Sequence, residues 1–236
     1  MQNACSADSH EARHSNREGE FFKRLSPNDL KEFASLEFSS SYPAGATLFN
    51  EGETPSSVFV LLEGEVKLSI NSSEGKRLIL RIAKAGEILG LPSALSGSAY
   101  EVTGETLHTC KVSSVRRQEF LNFLVRHPVA YQSMIEELTA NYSRACEQLR
   151  TVGLTSSAPK KLARLLLEWC EAGQQTERGT RVRVSLTHEE IGEFIGASRE
   201  TVTRTLSEFK TRHLVALNGS TMFIPSRIAL EHYAGM

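Results

Sequence analysis

No apolar run in the 236-residue chain approaches the roughly 18 residues that a membrane-spanning helix needs. The polar N-terminus does not resemble a secretory signal, so a cytoplasmic protein without membrane attachment is expected. Cysteine is sparse: Cys5, Cys110, Cys146 and Cys170 are scattered without a CxxC pair, a pattern that fits reduced thiols in a cytosol. Catalytic signatures are missing too. There is no GxSxG, HExxH, P-loop or dinucleotide fingerprint, and no acid–base pair beside a glycine-rich phosphate loop, so the chain is not read as an enzyme. Nor is there a bulk basic field, since the net charge is −1. From residue 155 onward there are 11 basic and 9 acidic residues, a net of +2, which leaves −3 for the rest. Any affinity for nucleic acid must come from locally placed Lys and Arg.

The most informative segment is 186–210, LTHEEIGEFIGASRETVTRTLSEFK. Leu186, Ile191, Phe194 and Ile195 fall on one helical face, and Val202, Leu206 and Phe209 continue it in a second helix. Thr187 with Glu190 forms a capping box, Gly196 ends the first helix, and Ser198 caps the next. Arg199, Glu200, Thr203 and Arg204 remain off the core face, where Arg can read guanine edges and Glu can accept from cytosine. An ordinary solvated helical hairpin shares this pattern, so the flanks matter. Arg181–Ser185 alternates like a strand. After the helices, Asn218-Gly219 separates the apolar runs Leu214–Leu217 and Ser220–Ile224, and Asn-Gly is a strong hairpin signal because both residues tolerate positive φ. Strand, two helices and a two-stranded wing describe a winged helix-turn-helix, with Asn218 at its tip as a further DNA-facing residue.

Residues 37–115 carry short strand-like runs, Thr47–Phe49, Ser57–Leu62, Val66–Ile70, Arg77–Ile82 and Cys110–Val112, punctuated by glycine turns. Many short strands joined in this way indicate an antiparallel sandwich or barrel. Phe120, Leu121 and Leu124 suit a short helix that stops near His127-Pro128. Between Val129 and about Val152 there is neither Pro nor Gly, and Ile135, Leu138, Tyr142, Ala145, Leu149 and Val152 alternate by three and four. Such a heptad seam fits a coiled-coil dimer, or one face of a helix packed on its own β-domain. A two-fold dimer suits a helix-turn-helix, because paired readers span half-sites about one helical turn apart.

Over roughly 21–230 the chain resembles the CRP/FNR family of bacterial transcription regulators. The resemblance is carried by YPAGATLFNEGE, VFVLLEGEVKL, GKRLILRIAKAGEILG, the long helix, SAPKKLARLLL and, most specifically, LTHEEIGEFIGASRETVTRTL. It implies an α+β fold with an N-terminal antiparallel β-roll like that which binds cyclic nucleotides, a long dimerisation helix and a C-terminal winged helix-turn-helix. The expected organisation is a disordered tail over 1–19, the roll over 20–115, hinge and dimer helix over 116–153, and the reader over 154–236. By the same resemblance Arg199, Glu200 and Arg204 contact bases, Ser198 and Thr201 contact phosphates, the half-site is similar to TGTGA, and RNA polymerase is a partner.

One stretch departs from that pattern. Cyclic-AMP-binding members hold the ribose with a Gly-Glu and the phosphate with an Arg-Ser. Here Leu91 stands at the place of that Glu, and Tyr100 and Glu101 stand near the Arg-Ser, with Val102 and Thr103 beside them as candidate effector-pocket residues. No Lys or Arg occurs between Lys84 and Lys111, and a buried phosphate needs a cationic or multi-donor partner. Cyclic AMP bound in the usual way is therefore not expected. A four-thiolate iron–sulfur cluster is not expected either, since only Cys5 lies in the tail. The seven His and four Met form no haem motif, which leaves haem open without naming a ligand, and no metal site is assigned. The expectation is a homodimeric regulator that binds double-stranded DNA, with its effector unidentified. Two other readings of the same residues are a β-roll that binds a small molecule and acts on a protein, and a redox- or gas-responsive regulator of the same family.

Overall fold

The computed structural model describes residues 19–155 and 157–235, so nearly all of the expected tail lies outside the described residues. Contacts divide the chain into two compact units, one running through Ile70 with Leu80–Arg144, the other comprising Asn71–Ile79 and Ala145 onward. Among the described residues no helix is long and apolar enough to cross a membrane.

The first unit opens with a helix the sequence reading did not anticipate, α1 (Pro27–Ser35). Its start follows from local chemistry. Ser26 Oγ accepts from the Asp29 backbone N–H at 3.2 Å, Asp29 Oδ2 accepts from the Ser26 N–H at 3.1 Å, and Pro27 supplies a preset φ. Strands follow: β1 (Phe38–Tyr42), β2 (Thr47–Phe49), β3 (Ser57–Glu63), β4 (Glu65–Asn71), β5 (Arg77–Lys84, of which Arg77, Leu78 and Ile79 count with the second unit) and β6 (Ile88–Leu89). A short helix α2 (Leu91–Ser96) precedes β7 (Thr103–Thr106) and β8 (Cys110–Arg116). They form two four-stranded sheets, ordered β1-β8-β3-β6 and β2-β7-β4-β5.

Strand β3 joins two cores. Phe59 and Leu61 belong to an apolar cluster with Phe49, Val66, Leu68, Leu89 and Val112, which draws on both sheets and fills the roll. Val58, Val60 and Leu62 point the other way, into a cluster with Phe21, Phe33, Phe120 and Phe123 under the helices. A strand buried on both faces reads as a continuous apolar run, and VFVLL is one. The β3–β4 turn depends on Gly64: its φ is +99°, and a Cβ there would fall 2.5 Å from Cys110 Sγ.

Helix α3 (Arg117–Arg126) stops at His127, whose extended backbone precedes Pro128. Helix α4 runs over Pro128–Leu149, after which the chain widens into a π-type turn, Arg150–Leu154. Val152 therefore falls beyond the α-helix expected to contain it. The Lys161 ammonium donates to the Val152 carbonyl oxygen at 2.6 Å, satisfying a group released at the helix end. Ala130 and Met134 of α4 are buried in the helix-side core, and Leu138 packs partly against it.

The second unit contains α5 (Ala158–Glu171), β9 (Gln174–Thr176), β10 (Gly179–Arg183), α6 (His188–Ile195), α7 (Arg199–Thr211), β11 (Ala216–Asn218), β12 (Thr221–Ile224) and α8 (Arg227–Ala234). Its four strands form one sheet, β11-β12-β10-β9, and α5 packs its apolar face against α7 and α8.

In the first unit, the Glu137 carboxyl of α4 is 2% exposed, and among the described residues its Oε1 has no hydrogen-bond partner. Nearby, Glu87 pairs with Arg81 and, at 3.1 Å, with Arg144. Burial first, then the Glu87 charge, push the Glu137 carboxyl above its ordinary value of 4.5, against the opposing pull of Arg144 and Arg81; Glu20 adds a further push. Folding thus retains a proton on Glu137 that the unfolded chain has released. Its contribution is fully present below about pH 4.5 and is lost as pH rises through the raised folded value. Glu137→Gln should therefore raise the thermal midpoint at pH 8 and leave it nearly unchanged at pH 4. Equal shifts at both pH values, followed by far-UV circular dichroism, would contradict this.

Candidate DNA-reading surface and roll interior

The α6–α7 pair is built by caps and one close approach. Thr187 Oγ1 accepts from the Glu190 N–H at 3.2 Å, while Glu190 Oε2 accepts from the Thr187 N–H at 2.9 Å. Gly196 ends α6 at φ +65°, the left-handed conformation that favours glycine. Gly192 is required for a different reason, since a Cβ there would lie 2.6 Å from the Ala197 carbonyl oxygen. Ser198 Oγ then accepts from the Thr201 N–H at 3.3 Å and starts α7. Ile191, Phe194, Ile195, Val202, Leu206 and Phe209 are all buried.

That packing leaves Ser198, Arg199, Glu200, Thr203 and Arg204 exposed, with Thr201 half-buried at the edge. The Glu200 carboxyl is held below its ordinary range, first by its own backbone N–H and then by the Ser198 hydroxyl. It is thus an acceptor at neutral pH, as a contact to the cytosine amino group requires. The Thr203 hydroxyl donates to the Arg199 carbonyl at 3.0 Å and lies 2.8 Å from His188 Nδ1. A hydroxyl has one proton, so the ring nitrogen is the donor in the second pair. His188 was not singled out from the sequence; its place directly after the Thr187 cap was the available signal.

The wing forms, with a difference in its turn. Asn218 pairs with Thr221 in the β11–β12 ladder, so Gly219 and Ser220 make the two-residue loop. Gly219 carries φ +60°, whereas Asn218 is an exposed strand residue without positive φ. Strand β10 at Gly179–Arg183 begins two residues before the expected Arg181, and β9 beside it was not anticipated.

On α4 the expected seam residues divide. Ile135, Tyr142 and Leu149 are 49%, 71% and 64% exposed, with Tyr131 on the same side, while Leu138 and Ala145 are half-buried. Large apolar side chains thus stand in a row along one side of α4. Val152, in the π-type turn, is half-buried.

The five candidate effector residues fall in different surroundings. Leu91 is fully buried in the helix-side core. Tyr100 belongs to the core inside the roll: its ring lies 4.6 Å from that of Phe49, which in turn stacks on Phe59 at 5.3 Å. The Tyr100 hydroxyl donates to the Ser57 carbonyl at 2.6 Å. Val102 packs against the same cluster, Glu101 is exposed, and Thr103 Oγ1 accepts from the Glu51 N–H at 3.1 Å. A charged pair also escaped the sequence reading. Lys67, 6% exposed, pairs with Glu105 across the β4–β7 ladder at 2.7 Å, on the face of β4 opposite to Val66 and Leu68. Among the thiols, burial pushes Cys110 and Cys170 upward; the Cys110 thiol also donates to the His108 carbonyl at 3.1 Å. Among the described residues no group of three or more His, Cys, Asp and Glu is arranged to hold a metal ion.

The cyclic nucleotide-binding domain family matches residues 39–127, and the Crp-like helix-turn-helix domain family matches 160–233. The chain is 25% identical over 204 residues to a CRP-like cAMP-activated global transcriptional regulator of Mycobacterium tuberculosis, covering 86% of this chain and 91% of that protein. It is 29% identical over 206 residues to the transcriptional activatory protein AadR of Rhodopseudomonas palustris, covering 86% and 84%. The solved structure of FixK2 from Bradyrhizobium japonicum shares the fold at TM-score 0.74 and 20% identity, over 84% of this chain and 96% of that one. A β-roll, a long helix and a capped helix-turn-helix with an exposed Arg-Glu-Arg face occur here in one order, and the two domain families match in that order: the chain belongs to the CRP/FNR family of transcription regulators.

Proposed function

We propose that the chain works as a homodimer, each protomer laying α7 in the major groove of one half-site of a TGTGA-type palindrome. Arg199, Glu200 and Arg204 meet base edges, Ser198 and Thr201 meet phosphates, and Thr203 and Asn218 border the contact. The observation that carries this reading is the sidedness of α7: its apolar residues are spent on the unit's core, and both arginines and the ionised Glu200 stand together in solvent. The exposed apolar row on α4 supports the dimer, with a second copy of the same helix as the complementary surface. RNA polymerase is the further partner this reading entails.

The proposal dispenses with cyclic AMP. A cyclic phosphate in the roll needs a cation or several donors, and between Lys84 and Lys111 there is neither Lys nor Arg. Tyr100, near the position of the family's phosphate-binding Arg, spends its hydroxyl on Ser57 and its ring on Phe49. These residues do not fit a cyclic nucleotide. No metal or cofactor is proposed, and the reading-competent state needs no ligand if it already predominates.

Arg199→Ala and Arg204→Ala should each weaken binding to the palindrome by about 1–3 kcal/mol and relax preference at one base position. Fluorescence anisotropy on matched and singly mismatched sites measures both, and wild-type affinity in both variants would remove α7 as the reader. Ile135→Glu or Tyr142→Glu should shift the protein toward monomer in sedimentation; unchanged mass would remove α4 as the seam. DNA affinity should stay flat as cyclic AMP is titrated, whereas a saturable rise would overturn the reading of residues 91–103.

A further inference from the structure

Gln148 lies in the last turn of α4 and is 5% exposed. Its amide nitrogen donates to two backbone carbonyls of the second unit, Phe194 at 2.7 Å and Ile79 at 3.1 Å. Phe194 O is among the four terminal carbonyls of α6 that have no partner within the helix. Only the NH2 end of a carboxamide offers two protons, so the pair of carbonyls dictates which way the side chain faces and uses both. Two neighbouring contacts converge on the same place. A Cβ on Gly196, the residue between α6 and α7, would lie 3.3 Å from Val152 Cγ1, and Lys161 holds the Val152 carbonyl. Next along the chain, Leu149 is exposed in the apolar row. One turn of helix therefore presents a side chain outward toward a second copy and another inward toward the reader.

We propose that Gln148 is a positioning residue that sets the angle at which the end of α4 carries the α6–α7 reader, and through it the half-site spacing that the dimer accepts. This rests on the dimeric reading above. Gln148 touches α6 through the backbone, away from the exposed side chains of α7, so it governs spacing without governing which bases are read.

The test uses the full chain and a series of palindromes with identical half-sites and central spacers differing by single base pairs, with scrambled DNA as reference. Wild type should favour one spacing over its neighbours by about tenfold. Gln148→Met keeps the bulk and removes both donors; Gln148→Glu keeps the shape and turns an acceptor toward two carbonyls. Both should remain dimeric and folded, discriminate mismatched half-sites like wild type, and flatten the spacing preference to within about threefold. If both variants keep the wild-type spacing profile, even with uniformly lower affinity, the role of Gln148 is overturned, because loss of folded protein lowers every site equally. If wild type has no preferred spacing, the dimeric reading falls and this inference falls with it.

Discussion

Helix α4 must serve opposing surfaces, and the organisation of the molecule follows from that demand. Ala130 and Met134 complete the core beneath β3, while Ile135, Tyr142 and Leu149 remain exposed on another face. An isolated helix of this composition would gain little from its own hydrogen bonds, so burial of the first face holds it in place. The second face is then displayed as a rigid apolar row at no further ordering cost to the protein. Such a row is the basis of the proposed pairing with a second copy of the same helix.

The β-roll achieves its stability by filling itself. Strand β3 is buried on both faces, and the space between the sheets is taken by Phe49, Phe59 and Tyr100 with the aliphatic residues around them. A site for a cyclic phosphate would need fixed donors in that interior. Lys67 is buried on the opposite face of β4 from Val66 and Leu68, which line that interior, and is matched by Glu105 directly across the ladder. The roll thus retains the family's architecture, with the space between its sheets filled by its own aromatic and aliphatic side chains.

The reader was the most legible part of the sequence because its determinants are local. Thr187 with Glu190, Gly196 and Ser198 each act within a few residues of themselves, and the alternation of Ile191, Phe194, Val202 and Leu206 needs no knowledge of the partner surface. Less local features were lost. Helix α1 has a readable Ser-Pro-Asn-Asp start but is only nine residues long, with Phe33 its one fully buried side chain, so its apolar pattern is weak. Strands β1 and β7 are short and polar, and only pairing with distant strands defines them, while β9 is three polar residues paired with the adjacent β10. The wing turn shifted by one residue because the ladder paired Asn218 with Thr221, a register that β12 and β10 decide together.

What the sequence by itself determined was the kind of protein and the exposed face of α7: periodicity and caps assign the helices, and the amphipathic pattern leaves Arg199, Glu200 and Arg204 outward. Only the tertiary structure decided what the polar and aromatic residues of the interior do. Tyr100 could have lined a pocket or filled one, and it fills one because Phe49 and the Ser57 carbonyl, about 50 and 40 residues away in sequence, come to meet it. Gln148 resembled any polar residue on a long helix until Ile79 and Phe194 were brought to the same amide. Local rules act through neighbours in the chain, whereas the role of a buried polar group is defined by partners that only folding supplies.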